Sequence, residues 1–290
     1  MTNILNVIFP KKISRSRWGD LVMFFVLLLF GLFMALPFMY AISNSLKPRN
    51  ELWIFPPRFF VRSPTFSNFY DLFTLMENSW IPMTRYIFNS LLITIVGTAG
   101  HVILSSLCAY PLAKFKFPGT KIFFKLVVTS LMFNSAVLAI PSYIVMVKIG
   151  FVDTYFATIV PAMGGSLGLF LMKNFIESNI PDPLLESADL DGASEINKFF
   201  FIIMPLVRPA WLTLIIFSVQ SLWQLGSTPL IFSESLKTLP FALSQIQSAG
   251  IARAGVSAAI GVFMMILPLS VFIFTQSSIM ETMSTSGIKE

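Results

Sequence analysis

LVMFFVLLLFGLFMALPFMYAI (residues 21–42) runs for 22 residues without an Asp, Glu, Lys or Arg. About 20 mainly apolar residues in a helix cross the hydrocarbon layer of a bilayer, so this stretch reads as a membrane span. It is too long for the apolar region of a cleaved secretory signal, about 7 to 15 residues. The basic KKISRSR beginning at Lys11 then reads as its cytoplasmic flank.

Working outward, five more apolar stretches are bracketed by charges. They are 86–113 between Arg85 and Lys114, 126–147 between Lys125 and Lys148, and 154–172 between Asp153 and Lys173. The last two are 209–233 between Arg208 and Glu234, and 254–280 between Arg253 and Glu281. The expected fold is therefore all-α, a polytopic membrane protein with six transmembrane helices. It divides into a cytoplasmic segment 1–20, a membrane domain 21–280 and a cytoplasmic tail 281–290. With both termini inside, the inner segments carry the larger share of the 20 Lys and Arg, as the positive-inside bias requires. The expected location is a prokaryotic plasma or inner membrane.

Composition agrees: 55% of residues are hydrophobic and 12% charged, with mean hydropathy +0.77, against about 25% charged in soluble domains. A net charge of +6 would suggest nucleic acid in a soluble protein, but here basic residues beside apolar spans anchor and orient them. The single cysteine, Cys108, excludes an intramolecular disulfide and a thiolate zinc cluster. With one histidine, His101, the inventory is thin for an enzyme. The spans hold no carboxylate for a proton relay, and no Gly-Lys pair exists to begin a phosphate-binding loop. Active transport would need energy from another chain, with no cofactor on this one.

The densest group of acids lies in LLESADLDGASEINKFFFIIMPLVRPA (184–210). Asp182 is expected to cap a helix with Pro183 at its first position and Glu186 and Asp189 near its positive end. Gly192, which tolerates positive φ, breaks that helix. Ser194 then caps a second one, whose Ile196, Phe199, Phe200 and Ile203 follow the helical repeat and suit a membrane surface. The residues alone leave equal room for a solvated loop.

This segment resembles the EAA loop of ABC-importer permeases. That motif has Glu-Ala-Ala, a glycine four residues after the second alanine, and a later isoleucine and proline. Glu186, Ala188, Asp191, Gly192, Ile203 and Pro205 match; Ser187 stands for the first alanine and Met204 for the usual leucine. Other stretches are similar to the carbohydrate-uptake (CUT1) branch, of the type of the smaller maltose-permease subunit. They are NSLKPRNELWIFPP, NSLLIT, AYPLAKFKFPGTK, AIPSYIVMVKIGFVDTYFA, KTLPFAL and the tail SGIKE. From Ser221 to Glu234 the chain departs from that branch, with Gln224 and Leu225 following Trp223 in place of an asparagine and an acid.

The resemblance implies a type I ABC importer permease fold and, as partners, a second permease subunit, two ATPase subunits holding ATP and Mg, and an extracytoplasmic sugar-binding protein. It implies that loop 182–205 docks on the ATPase through Glu186, Ala188, Asp191 and Gly192, with Ser286, Gly287 and Lys289 of the tail nearby. Sugars need hydrogen-bonding groups beside aromatic faces near mid-membrane. Gln220 and Gln224, one helical turn apart beside Trp223, meet that need, and Asn134 and His101 lie at similar depth. For each of them, hydrogen bonding between helices is the competing role. The residues also leave open an importer of glycerol phosphate or a polyol, and a self-sufficient secondary transporter.

Overall fold

The computed structural model describes residues 17–77, 81–133, 135–226, 228–248, 250 and 253–286, and among them there are helices and no strand. In chain order, α1 is Arg17–Ser45, α2 Arg49–Leu52, α3 Ser67–Glu77 and α4 Met83–Lys114. Then come α5 Thr120–Ser130, α6 Ser135–Lys148, α7 Phe156–Met163, α8 Ser166–Asn179 and α9 Asp182–Leu190. The rest are α10 Glu195–Leu206, α11 Arg208–Trp223, α12 Leu239–Gln247 and α13 Ala254–Ser286.

Among the described residues, four helical stretches are long and apolar enough to cross a membrane: Trp18–Ser45, Met83–Lys114, Phe156–Asn179 and Ala254–Gln276. A fifth is the pair α10 and α11, bent by 78° where they join. The chain leaves helical geometry at Val207, and Pro209 in the first turn of α11 has no N–H to carry the helix ladder across the join. Two expected spans differ in form. Stretch 126–147 is two helices, α5 and α6, parted after Ser130, whose hydroxyl bonds back to Val127 O at 2.6 Å and also meets Ser166 Oγ at 2.7 Å. In stretch 209–233 the helix stops at Trp223, and residues 224–226 and 228–233 leave it.

The spine is α4, 32 residues or about 48 Å long. It packs along α7, α8 and α11, while α13 lies against α11 and α1. Two apolar cores sit at its opposite ends. One joins Met83 and Tyr86 to Leu72, Trp223, Leu243 and Ile260; the other joins Ala109 and Tyr110 to Ile176, Leu185, Phe199 and Leu214. Small residues let the helices approach closely in between. A Cβ on Gly97 would stand 2.7 Å from Leu222, and one on Gly168 would stand 2.3 Å from His101 Nε2. Membrane helices associate through contacts of this kind, since lipid supplies no hydrophobic drive between them.

Candidate coupling loop and translocation face

Helix α9 starts one residue earlier than expected. Pro181 occupies the cap position, and Asp182 is already helical. The Asp182 carboxylate is therefore free for another partner and accepts from Lys114 Nζ at 2.7 Å, while Lys114 also donates to Ile180 O at 2.5 Å. Thus the last residue of α4 fastens the beginning of the loop. The hydrogen bond from Lys114, and then its charge, hold the Asp182 carboxyl below the usual carboxylate range.

The turn itself follows from glycine. Gly192 has φ +76°, a left-handed conformation that closes helices without a Cβ penalty. Its N–H donates to Asp189 O at 3.0 Å, and Ala193 N–H donates to Ala188 O at 2.9 Å. Ser194 Oγ accepts from Asn197 N–H at 3.3 Å, the expected cap of α10. The expected apolar stripe on α10 does not form one face. Residues Lys198–Ile203 adopt the wider π turn, so Phe199 and Ile203 point into the core while Ile196 and Phe200 stay exposed. A 3.6-residue repeat assigns faces wrongly there.

Across the turn, Lys198 is 3% exposed. Its Nζ donates to Asp189 Oδ1 on α9 at 2.6 Å and to Glu195 Oε1 on α10. Tyr110 near the end of α4 donates its hydroxyl to Glu195 Oε2 at 2.5 Å. Sequence reasoning missed this network, although Glu195 and Lys198 at i, i+3 were a legible ion pair. It leaves Glu186, Asp191 and Gly192 exposed, with Ala188 packed inward. Leu190, at the end of α9, is 90% exposed.

Gln220 and Gln224 lie on an exposed face of α11 and its end. Trp223 points the other way. It is buried, and its indole N–H donates to Met264 O at 3.0 Å, joining α11 to α13. His101 sits between α4, α8 and α11, with Nε2 3.2 Å from Gly165 O and Nδ1 2.8 Å from Ser218 Oγ. A carbonyl only accepts, so Nε2–H donates to Gly165 O, and in that tautomer Nδ1 accepts from the Ser218 hydroxyl. Asn134, Gly287 and Lys289 lie outside the described residues, and Ser286 closes α13.

The segment after α11 folds over the opposite end of α4. Arg85 and Asn89 donate to Ser235 O at 3.1 and 2.9 Å, and the Tyr86 hydroxyl donates to Glu234 at 2.9 Å. Asp153 accepts from the N–H groups of Phe232 and Ser233 at 2.9 and 2.8 Å. The Ser233 hydroxyl, and then its backbone N–H, hold the Asp153 carboxyl below the usual range. The chain thus carries an exposed helix–turn–helix at one end of α4 and an ordered loop at the other. Among the described residues no group of three or more His, Cys, Asp and Glu is placed to hold a metal.

The sequence pattern of the family described as "Binding-protein-dependent transport system inner membrane component" matches residues 101–279. The chain belongs to this family. As an inner membrane component of a binding-protein-dependent transport system, it is a multi-pass membrane protein and a transporter permease subunit. The polygalacturonan/rhamnogalacturonan transport system permease protein YtcP of Bacillus subtilis is 32% identical over 222 residues, 75% of this chain and 73% of that one. The arabinooligosaccharides transport system permease protein AraQ of the same organism is 28% identical over 93% of this chain and 95% of its own. Relatives of this kind are sugar and oligosaccharide permeases, the branch that the quoted stretches resemble. A solved bacterial ABC transporter involved in the import of the acidic polysaccharide alginate contains a chain with the same fold. Its TM-score is 0.76 at 21% identity, covering 92% of this chain and 99% of that one.

Proposed function

We propose that this chain is the membrane-spanning subunit of an ATP-driven importer of sugars or oligosaccharides. It spans the membrane six times, with α5 and α6 together making the third span, and both termini are cytoplasmic. Paired with a second permease subunit, it forms half of the translocation path. A sugar-binding protein delivers the solute, and two ATPase subunits, which hold ATP and Mg, supply the energy; this chain has no ATPase site of its own.

The observation that carries this reading is the exposed helix–turn–helix at 182–205, pinned to the end of α4 by Lys114, Tyr110 and Lys198. A protruding element on a rigid mount transmits a push, whereas a solvated loop absorbs it. Glu186 and Asp191 offer charge to a basic groove of the ATPase, Gly192 sets the angle between the two helices, and Ala188 packs the first helix to its base. When the ATPase dimer closes, force on this loop passes through Tyr110 and Lys114 into α4 and reorients the path. On that path, Gln220 and Gln224 are the groups free to meet sugar hydroxyls. Trp223 and His101 hold the helices that carry them, Asn134 joins the path by its depth in the third span, and the tail residues Ser286, Gly287 and Lys289 are assigned to the ATPase side by resemblance.

The test is uptake into proteoliposomes of the purified complex. Labelled oligosaccharide should accumulate only with internal ATP and external binding protein, and should continue when the proton gradient is collapsed. Accumulation driven by the gradient without ATP would make the protein a secondary transporter.

A further inference from the structure

The segment between α1 and α3 carries WIFPPRFFVR, residues 53–62, with four aromatic rings and two arginines. Most of its apolar side chains do not turn inward. Phe55 is 92% exposed and Phe60 is 66% exposed, and Trp53 is exposed too. Yet the segment is held firmly. Glu51, itself buried, accepts from Arg62 N–H at 2.8 Å, Ser43 donates to Phe59 O at 2.7 Å, and buried Lys47 donates to Arg58 O at 2.5 Å. Thr65 N–H donates to Leu46 O at 2.9 Å. These bonds fold the segment back along the helix it has just left, and the Phe59 ring rests 5.5 Å from that of Tyr40.

Depth follows from this contact. Tyr40 precedes the end of α1 at Ser45 by five residues, or about 7 Å of helix. Half of a 30 Å hydrocarbon layer is about ten helical residues. Counted from Gly31 at the middle of run 21–42, that places the edge of the layer beside Ala41 and Ile42. Phe59 and Phe60 therefore sit at the boundary between acyl chains and headgroups, where aromatic rings concentrate in membrane proteins. Arg58 and Arg62 flank them, and among the described residues no carboxylate pairs with either.

We propose that residues 53–62 form an interfacial wedge. Trp53, Phe55 and Phe60 enter the outer edge of the acyl layer beside α1, and Arg58 and Arg62 bind phospholipid phosphates. The wedge anchors the far end of α1 at a fixed depth. The inference rests on α1 spanning the membrane and not on the nature of the transported solute.

The probe is the assembled transporter in nanodiscs of phosphatidylethanolamine and phosphatidylglycerol. Cys108 is replaced by Ser, and a polarity-sensitive fluorophore is attached to a single cysteine at Phe55, at Phe60 or at exposed Ser235 as the control. The labels at 55 and 60 should emit to the blue of the control. Nitroxides borne on shallow lipid positions should quench them several-fold more than iodide does, with or without the sugar-binding protein. Arg58→Gln with Arg62→Gln should reduce that lipid quenching, and more strongly when phosphatidylglycerol adds net negative charge to the surface. Iodide quenching equal to that of the Ser235 control would overturn the wedge. So would shielding that develops only when the binding protein is added, which would make the segment a protein-docking surface.

Discussion

Lys198 on α10 reaches back across the Gly192 turn to Asp189 on α9, Nζ to Oδ1 at 2.6 Å. With Glu195 on its other side and Tyr110 behind Glu195, this lysine fixes the angle between the two loop helices and their seat on α4. A buried lysine is stable only with its charge matched.

Replacing it tests that seat. Lys198→Met should destabilise the loop by roughly 1 to 2 kcal/mol, at the low end for charged hydrogen bonds because both carboxylates are more than half exposed. The apparent melting temperature of the detergent-solubilised complex should fall by a few degrees, and stimulated ATP hydrolysis should fall further than basal hydrolysis. An unchanged melting curve together with wild-type stimulation would mean that the network holds nothing that matters.

The centre of the bundle gives a second test. A Cβ at Gly168 meets His101 Nε2 at 2.3 Å and Ser105 Oγ at 2.5 Å, so Gly168→Ala should cost roughly 1 to 3 kcal/mol through overpacking. His101→Ala removes one obstacle and two hydrogen bonds. In a double-mutant cycle on thermal stability the pair should cost less than the sum of its singles. Strict additivity would mean that α4 and α8 do not meet at these residues.

How much of this was legible in the residues differs from helix to helix. Helices α1, α4 and α13 are long runs of uncharged apolar residues, and no competing fold accommodates such runs. The Gly192 turn and the Ser194 cap were legible because few residue types satisfy those backbone positions. The break between α5 and α6 was not. No charge or glycine marks it. The faces of α10 were misread because a π turn has no sequence period of its own. Asp182 was misread as a cap because its partner, Lys114, is distant in sequence and comes close only in the fold. On α11 the pattern put Gln220, Trp223 and Gln224 together, but the tryptophan faces α13 and only the glutamines face outward.

That division leads to a third prediction. Gln220→Leu with Gln224→Leu should lower uptake at subsaturating sugar while assembly and binding-protein affinity persist. Trp223→Phe, which removes the bond to Met264 O, should lower stability by about 1 kcal/mol and leave apparent sugar affinity in uptake unchanged. Wild-type uptake by the double leucine variant would show that the two glutamines face lipid or another helix.

Topology is checked with single cysteines in a Cys108→Ser background. Ser235 belongs to the loop over the start of α4, and Lys289 belongs to the tail. An impermeant maleimide on intact cells should label the Ser235 site and spare the Lys289 site. The reverse pattern would invert the orientation.

The measurement closest to the central claim is binding-protein-stimulated ATP hydrolysis by complexes carrying Glu186→Ala or Gly192→Val. Glu186 is exposed and is assigned a charge-assisted contact with the ATPase, worth roughly 1.5 to 3 kcal/mol. At Gly192, φ is +76° and no atom lies within 4 Å of an added Cβ. Valine there strains the backbone by roughly 1 to 3 kcal/mol without a clash, and so redirects α9 relative to α10. Both variants should insert into the membrane as the wild type does, and both should lose stimulated hydrolysis and uptake, with weaker retention of the ATPase on the Glu186→Ala complex. If both complexes keep the ATPase and turn over at the wild-type rate, loop 182–205 is not the element that couples ATP to transport.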